Sequence, residues 1–192
     1  MKYTWGYIKD VSLAKLDLDE DEATTQNLLS RFPFYANEVI TQICSSIKPK
    51  YTFATFTITK EDLFNVYTMP EDFVSFGDDV NTILYIDDYG DRWLEECHDN
   101  HFTYKGYNQV QFFEVGTYQI SYNARWYTFT KDIDDNIVLD IPFDILDCIP
   151  SYIAHQCYKI DDDKKAAVYR NEYEMFLARI DNTNYKNTKT FQ

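Results

Sequence analysis

Hydrophobic positions along this chain change period twice. In the first block, Thr4 is placed to cap a short helix from about Trp5 to Leu16. The acidic stretch Asp17 to Glu22 then links to a longer helical region from about Ala23 to Ile47. There Phe34, Val39, Ile43 and Ile47 follow roughly helical spacing, and Pro33 either kinks the region or sits in the first turn of its second half. Lys48-Pro49 closes the block. The period then drops to two: Tyr51, Phe53, Thr55, Thr57 and Thr59 alternate with Ala54, Phe56 and Ile58. Further strands fit Phe73–Phe76, Thr82–Ile86, Phe102–Tyr104, Val110–Phe113, Thr117–Tyr122 and Trp126–Thr130, with turn signals at Gly77-Asp78, Asp88-Tyr89-Gly90, Gly106 and Gly116. Helical spacing returns in the last third. Ile145, Ile149, Tyr152, Ile153, Gln156 and Cys157 share one face. Asp161 to Asp163 then offer an N-cap for a second helix whose stripe is Ala166, Tyr169, Tyr173, Phe176, Leu177 and Ile180. Two helices joined this tightly form an αα-hairpin that must bury its stripe against something.

The expected fold class is therefore α+β: a helical bundle formed by N- and C-terminal helices, with an inserted antiparallel β-sandwich-like module. The expected divisions are 1–50 for the N-terminal helices, 51–139 for the β-module, 140–180 for the helical hairpin and 181–192 for a C-terminal arm. The arm is polar, with Asn182, Asn184, Lys186, Asn187 and Lys189 around Tyr185 and Phe191. It reads either as a frayed terminus or as a segment that orders on a neighbouring protein, anchored by those two aromatics. Tyr185 and Phe191 are the candidate partner-binding residues.

Composition sharpens this picture in two ways. Seventeen Tyr and fourteen Phe in 192 residues supply contact area with a polar handle, suited to interfaces as well as cores. The formal charge of −14 argues against general nucleic-acid binding and against an anionic membrane surface. It leaves open a solvated acidic surface or complementarity to a basic partner. No apolar run approaches the length of a membrane span, and the opening stretch to Glu22 mixes charge among its apolar residues, so no signal peptide is expected. Cys44, Cys97, Cys148 and Cys157 are widely spaced, and reduced thiols in a cytoplasm are expected, although an even count also allows one disulfide.

Several clusters imitate active sites. Cys97, His98 and His101 lie within five residues, yet structural zinc wants four ligands, and His155 with Cys157 on a helix point different ways. Asp17, Asp19 and Asp21, and again Asp132, Asp134 and Asn136, resemble the start of a calcium loop. The required Gly and Glu positions hold Glu22 and Leu28 in one case, Ile137 and Phe143 in the other. The pairs Asp78-Asp79, Asp87-Asp88 and Glu95-Glu96 have no spacing that selects two catalytic carboxylates. Neither Gly-x-Ser-x-Gly nor a phosphate-cradling glycine loop occurs. No catalytic, cofactor or metal site is expected, and no enzyme.

Three segments resemble a known family. Tyr67-Thr-Met-Pro-Glu-Asp-Phe-Val-Ser-Phe76 is similar to a strand entry of tailed-phage head–tail connector proteins. Gly116-Thr-Tyr-Gln-Ile-Ser-Tyr-Asn-Ala-Arg-Trp126 resembles one of their strands, and Leu146 to Ile180 their closing helical hairpin. Phe34-Tyr-Ala-Asn-Glu fits their N-terminal helix. The likeness covers most of residues 30–180 and points to the ring-forming adaptors of short-tailed phages, including those of the crAss-like group. It implies a structural subunit of a homo-oligomeric ring, often twelvefold, at the head–tail junction of the virion and assembled in the host cytoplasm. The implied partners are the portal protein, downstream tail or neck proteins, and DNA that passes through without sequence-specific binding. The implied C-terminal arm reaches the portal. No membrane is involved. Two other readings stand beside it. One is a β-sandwich that grips a sugar or a tail fibre, with Trp93, Trp126 and Tyr127 to line its groove; the other is an acidic hydrolase.

Overall fold

The computed structural model describes residues 3–25, 27–76, 83–86, 92–93, 101–159 and 161–187. The chain divides into two compact units, Met1–Lys48 with Trp126–Gln192, and Pro49–Arg125. Helices occupy both ends of the chain and antiparallel sheets lie between them in sequence, the α+β class that the changes of period imply.

In the helical unit, α1 (Trp5–Leu16) starts where Thr4 Oγ1 accepts a bond from the Tyr7 N–H at 3.2 Å. It stops at Asp17, which turns left-handed at φ 56°. The acidic stretch that follows is more than a linker. Asp19 and Glu22 cap each other reciprocally: the Glu22 N–H donates to Asp19 Oδ1 at 2.8 Å and the Asp19 N–H to Glu22 Oε2 at 3.2 Å. They open α2 (Glu20–Thr25). After a 3₁₀ turn at Leu29–Arg31 comes α3 (Phe32–Ser46), with Pro33 in its first turn, where its missing N–H costs nothing. The C-terminal part supplies α4 (Phe143–Leu146), α5 (Cys148–Tyr158) and α6 (Asp163–Asn187). Asp162 Oδ1 accepts from the Lys164 and Lys165 N–H groups at 3.0 Å each, so the Asp run does cap the last helix.

α5 is the axis of this unit, and α1, α3 and α6 all pack on it. Ile149, Ile153 and Ala154 are fully buried there, and Ile8 of α1, Val39, Ile40 and Ile43 of α3 and Tyr173 and Ile180 of α6 are buried on the helices that pack on it. Each fully buried aliphatic side chain contributes about 1.5–3 kcal/mol. The tyrosines of the α6 stripe bury their rings because their hydroxyls find acceptors. Tyr169 OH donates to Lys15 O at 2.6 Å and Tyr173 OH to Gln42 Oε1 at 3.0 Å.

One expected strand is absent. Residues Trp126–Thr130 are irregular, because tertiary partners take their backbone and rings. The Asn37 amide clamps Phe129, donating to its O at 2.7 Å and accepting from its N–H at 2.8 Å. The Phe129 ring packs 4.9 Å from Trp5, and Trp126 Nε1 donates to Lys48 O at 2.9 Å. Further along, Gly6 lets this segment approach α1 closely. Its N–H donates to Asp135 O at 2.8 Å, and a Cβ there would stand 3.0 Å from that oxygen.

The β unit is built on its last strand. β1 is Lys50–Ile58, followed by β2 (Val66–Thr68), β3 (Phe73–Phe76), β4 (Ile83–Ile86), β5 (Arg92–Trp93), β6 (Phe102–Lys105), β7 (Gln109–Phe112) and β8 (Gly116–Ala124). β8 pairs antiparallel with all of β1, from Lys50↔Ala124 to Ile58↔Gly116. Its other edge is shared by β3, from Phe73↔Ala124 to Phe76↔Tyr122, and by β4, from Ile83↔Ile120 to Ile86↔Thr117. β5 extends β4. The second sheet runs β2-β7-β6. The two sheets share one core, in which Val110 and Phe112 of β7 meet Tyr118, Ile120 and Tyr122 of β8. Phe112 and Tyr118 stack with centroids 4.6 Å apart.

Candidate docking surfaces

The segments that carry the family likeness turn out to be locks within the fold. Tyr67–Phe76 and Gly116–Trp126 meet where β3 joins β8. Tyr122 OH donates to Asp72 Oδ1 at 2.9 Å, the Arg125 N–H donates to Asp72 O at 2.7 Å, and Asn123 Nδ2 donates to Ser75 Oγ at 2.9 Å. Met69 and Phe73 are buried alongside. Burial, with the bond to Asp72, pushes the Tyr122 phenol up to about 12, so it stays a donor at any working pH. Tyr122→Phe should therefore cost about 1.5–3 kcal/mol in urea denaturation, the value of a hydrogen bond to a charged group. An unchanged midpoint together with a lost partner would instead make this a binding site.

The remaining sequence candidates fall as follows. The Tyr185 backbone lies in the last turns of α6, and Phe191 lies outside the described residues. Trp93 belongs to β5, opposite Tyr85. Trp126 and Tyr127 are committed to the helical unit: Trp126 to Lys48 O, as above, and Tyr127 to the Phe129 ring at 4.9 Å. They do not line an open groove of the β unit. Cys97, His98 and the three acidic pairs lie outside the described residues. His101 Nδ1 stands 3.2 Å from Glu114 Oε2. His155 Nδ1 is 3.0 Å from Ala166 O, tying α5 to α6. Burial pushes the Cys148 thiol up to about 12 and that of Cys157 to about 11, so neither supplies a thiolate at neutral pH. The calcium-like spacings are turn chemistry. Asp19 caps α2, and Asp134 Oδ1 accepts from the Asn136 N–H at 2.9 Å. Among the described residues no group of three or more His, Cys, Asp or Glu could hold a metal ion.

What the helical unit does offer is apolar surface at helical spacing. Between α1 and α6 runs an open cleft of about 680 Å³ lined by Val11, Ala14, Lys15, Val168, Asn171, Glu172 and Met175, with Tyr169 in its wall. Val168 is 62% and Met175 60% exposed, although both sit mid-helix. Lys15 Nζ holds both Glu172 carboxylate oxygens, at 2.8 and 2.9 Å, and fixes the two walls. A second stripe lies on α3, where Phe34 projects 62% exposed and is followed at helical spacing by Glu38, Thr41 and Gln42. The β unit has its own exposed aromatics, Tyr51 at 77% and Phe53 at 53%, on the outward face of β1.

Large apolar residues left exposed on a surface mark interaction sites. The sequence model of the SU10 adaptor protein family matches residues 8–190. The chain belongs to the SU10 adaptor family. It is thus a bacteriophage head–tail adaptor, a structural protein of the virion. No curated protein matches it. The family is a structural one, not a catalytic one. In this adaptor no helix among the described residues is long and apolar enough to cross a membrane.

Proposed function

We propose that this adaptor forms a closed homo-oligomeric ring of about twelve copies beneath the portal, through which DNA passes toward the tail. The family match over residues 8–190 carries this reading. The helical unit supports it. A closed ring needs two different patches on each subunit, and the α1/α6 cleft and the α3 stripe share no residue. In this reading the arm, Asp181–Gln192, carries Tyr185 and Phe191 to the portal, and downstream tail or neck proteins bind the far side. The 32 carboxylates against 18 Lys and Arg suit a conduit wall, since repulsion keeps passing DNA from adhering. Assembly takes place in the host cytoplasm.

Co-expression with the portal protein, followed by cryo-electron microscopy, tests this. The expected particle is a portal bearing a stacked ring, with the arm ordered against it. A bare portal beside a monomeric adaptor would refute the ring. The alternative, a ligand-gripping β-module, loses ground because Trp126 and Tyr127 are engaged elsewhere.

A further inference from the structure

We propose that the α1/α6 cleft receives the α3 stripe of a second copy of this chain, with Phe34 as its anchor. The inference rests on the ring reading and names its contact surface.

The cleft is cut for a helix. Its α6 wall is Val168, Asn171, Glu172 and Met175, positions i, i+3, i+4 and i+7, and its α1 wall is Val11, Ala14 and Lys15, positions i, i+3 and i+4. Two such rows side by side form a groove into which the ridge of a third helix packs. The α3 stripe is such a ridge. Phe34, Glu38 and Thr41 are exposed at i, i+4 and i+7, and Phe34 is the single aromatic knob on it. A Met-and-Val floor suits an aromatic anchor, because the thioether adapts to the ring edge.

Charge favours the same match. Residues 163–180 hold four cations (Lys164, Lys165, Arg170, Arg179) against three carboxylates. Residues 19–46 hold five carboxylates against Arg31 alone. On the cleft's own stripe, Lys164 stands one turn before Val168 and Arg179 one turn after Met175, so Glu38 of one copy comes to a stripe with a cation at each end, in a protein whose net charge of −14 makes most self-contacts repulsive. Two α6 stripes cannot serve each other equally well. An antiparallel pairing that sets Val168 against Met175 also sets Lys164 against Arg179.

Geometry makes the contact head to tail. Tyr173 OH bonds Gln42 of α3 on one flank of α6, while Glu172 bonds Lys15 of α1 on the other. The ridge and the groove therefore lie to either side of α6, and each copy presents one to its neighbour on each side.

The test places the photo-crosslinker p-benzoylphenylalanine at Phe34 in the full chain. A one-to-one mixture of isotope-labelled and unlabelled adaptor is assembled on the co-expressed portal. The expected result is an inter-copy adduct to a peptide spanning 168–175, reduced at least tenfold in Met175→Glu. Met175 is largely exposed, so that variant should keep its helical circular dichroism, which is recorded alongside. A ring seen by electron microscopy whose Phe34 adducts map to the portal or to another segment would overturn the inference and leave the ring standing. Absence of both ring and inter-copy adduct would overturn both.

Discussion

Ile149→Asp is expected to unfold the helical unit and abolish attachment to the portal. Ile149 is fully buried in α5, the one helix on which α1, α3 and α6 all pack. The substitution removes a side chain worth about 1.5–3 kcal/mol and sets a carboxylate in its place with no cation planned for it. The summed cost, more than about 5 kcal/mol, exceeds what most single substitutions do and rivals the whole stability of a small domain. Hydrogen exchange read peptide by peptide should show α5 and α6 amides losing protection. Retained protection at α5, with normal portal binding, would contradict the packing described above.

Phe112→Ala should cost about 3–5 kcal/mol, within the β unit. The ring is fully buried, stacked on Tyr118 at 4.6 Å, and within 5.6 Å of Phe56 and 5.8 Å of Tyr67. Its loss opens a cavity between the two sheets that stiff strands cannot close. Urea denaturation followed by hydrogen exchange should find β7 and β8 amides deprotected first, while α5 amides keep wild-type protection. If the helical unit builds the ring, this variant still docks on the portal. Docking lost in step with β8 protection would move the ring contact to the β unit, and Tyr51 and Phe53 would then be the residues to examine.

Much of this architecture was legible in residue order. Thr4 marked the start of α1, Phe73–Phe76 emerged with its expected ends, and of the α6 stripe Ala166, Tyr173 and Ile180 are buried while Tyr169, Phe176 and Leu177 are half-buried. Local chemistry dictated these features, whatever the rest of the chain did. Trp126–Thr130 shows the opposite case. Its aromatic and Thr residues favour a strand, but Asn37, 92 residues from Phe129, takes up the hydrogen bonds a strand would need. The three-residue β2 was too short to carry a period. The docking stripes were invisible for another reason. Val168 and Met175 are unremarkable helix residues until the positions of α1 and α6 show that nothing described covers them, and no periodicity encodes that. Tyr185 and Phe191 stood out in the sequence because a polar tail makes aromatics conspicuous.

The helical unit is discontinuous in the chain, and this sets a schedule for synthesis. Residues up to Lys48 leave the ribosome with the apolar faces of α1 and α3 complete, but α5, their packing partner, begins at Cys148. At about 5–20 residues per second, the first block waits on the order of five to twenty seconds for its core. A chain broken off anywhere before α6 has only the α1 wall of the cleft, and under the proposed contact it would not be admitted between two complete neighbours. If the ring closes as proposed, its fidelity would need no separate proofreader: translation through α6 is itself the admission test.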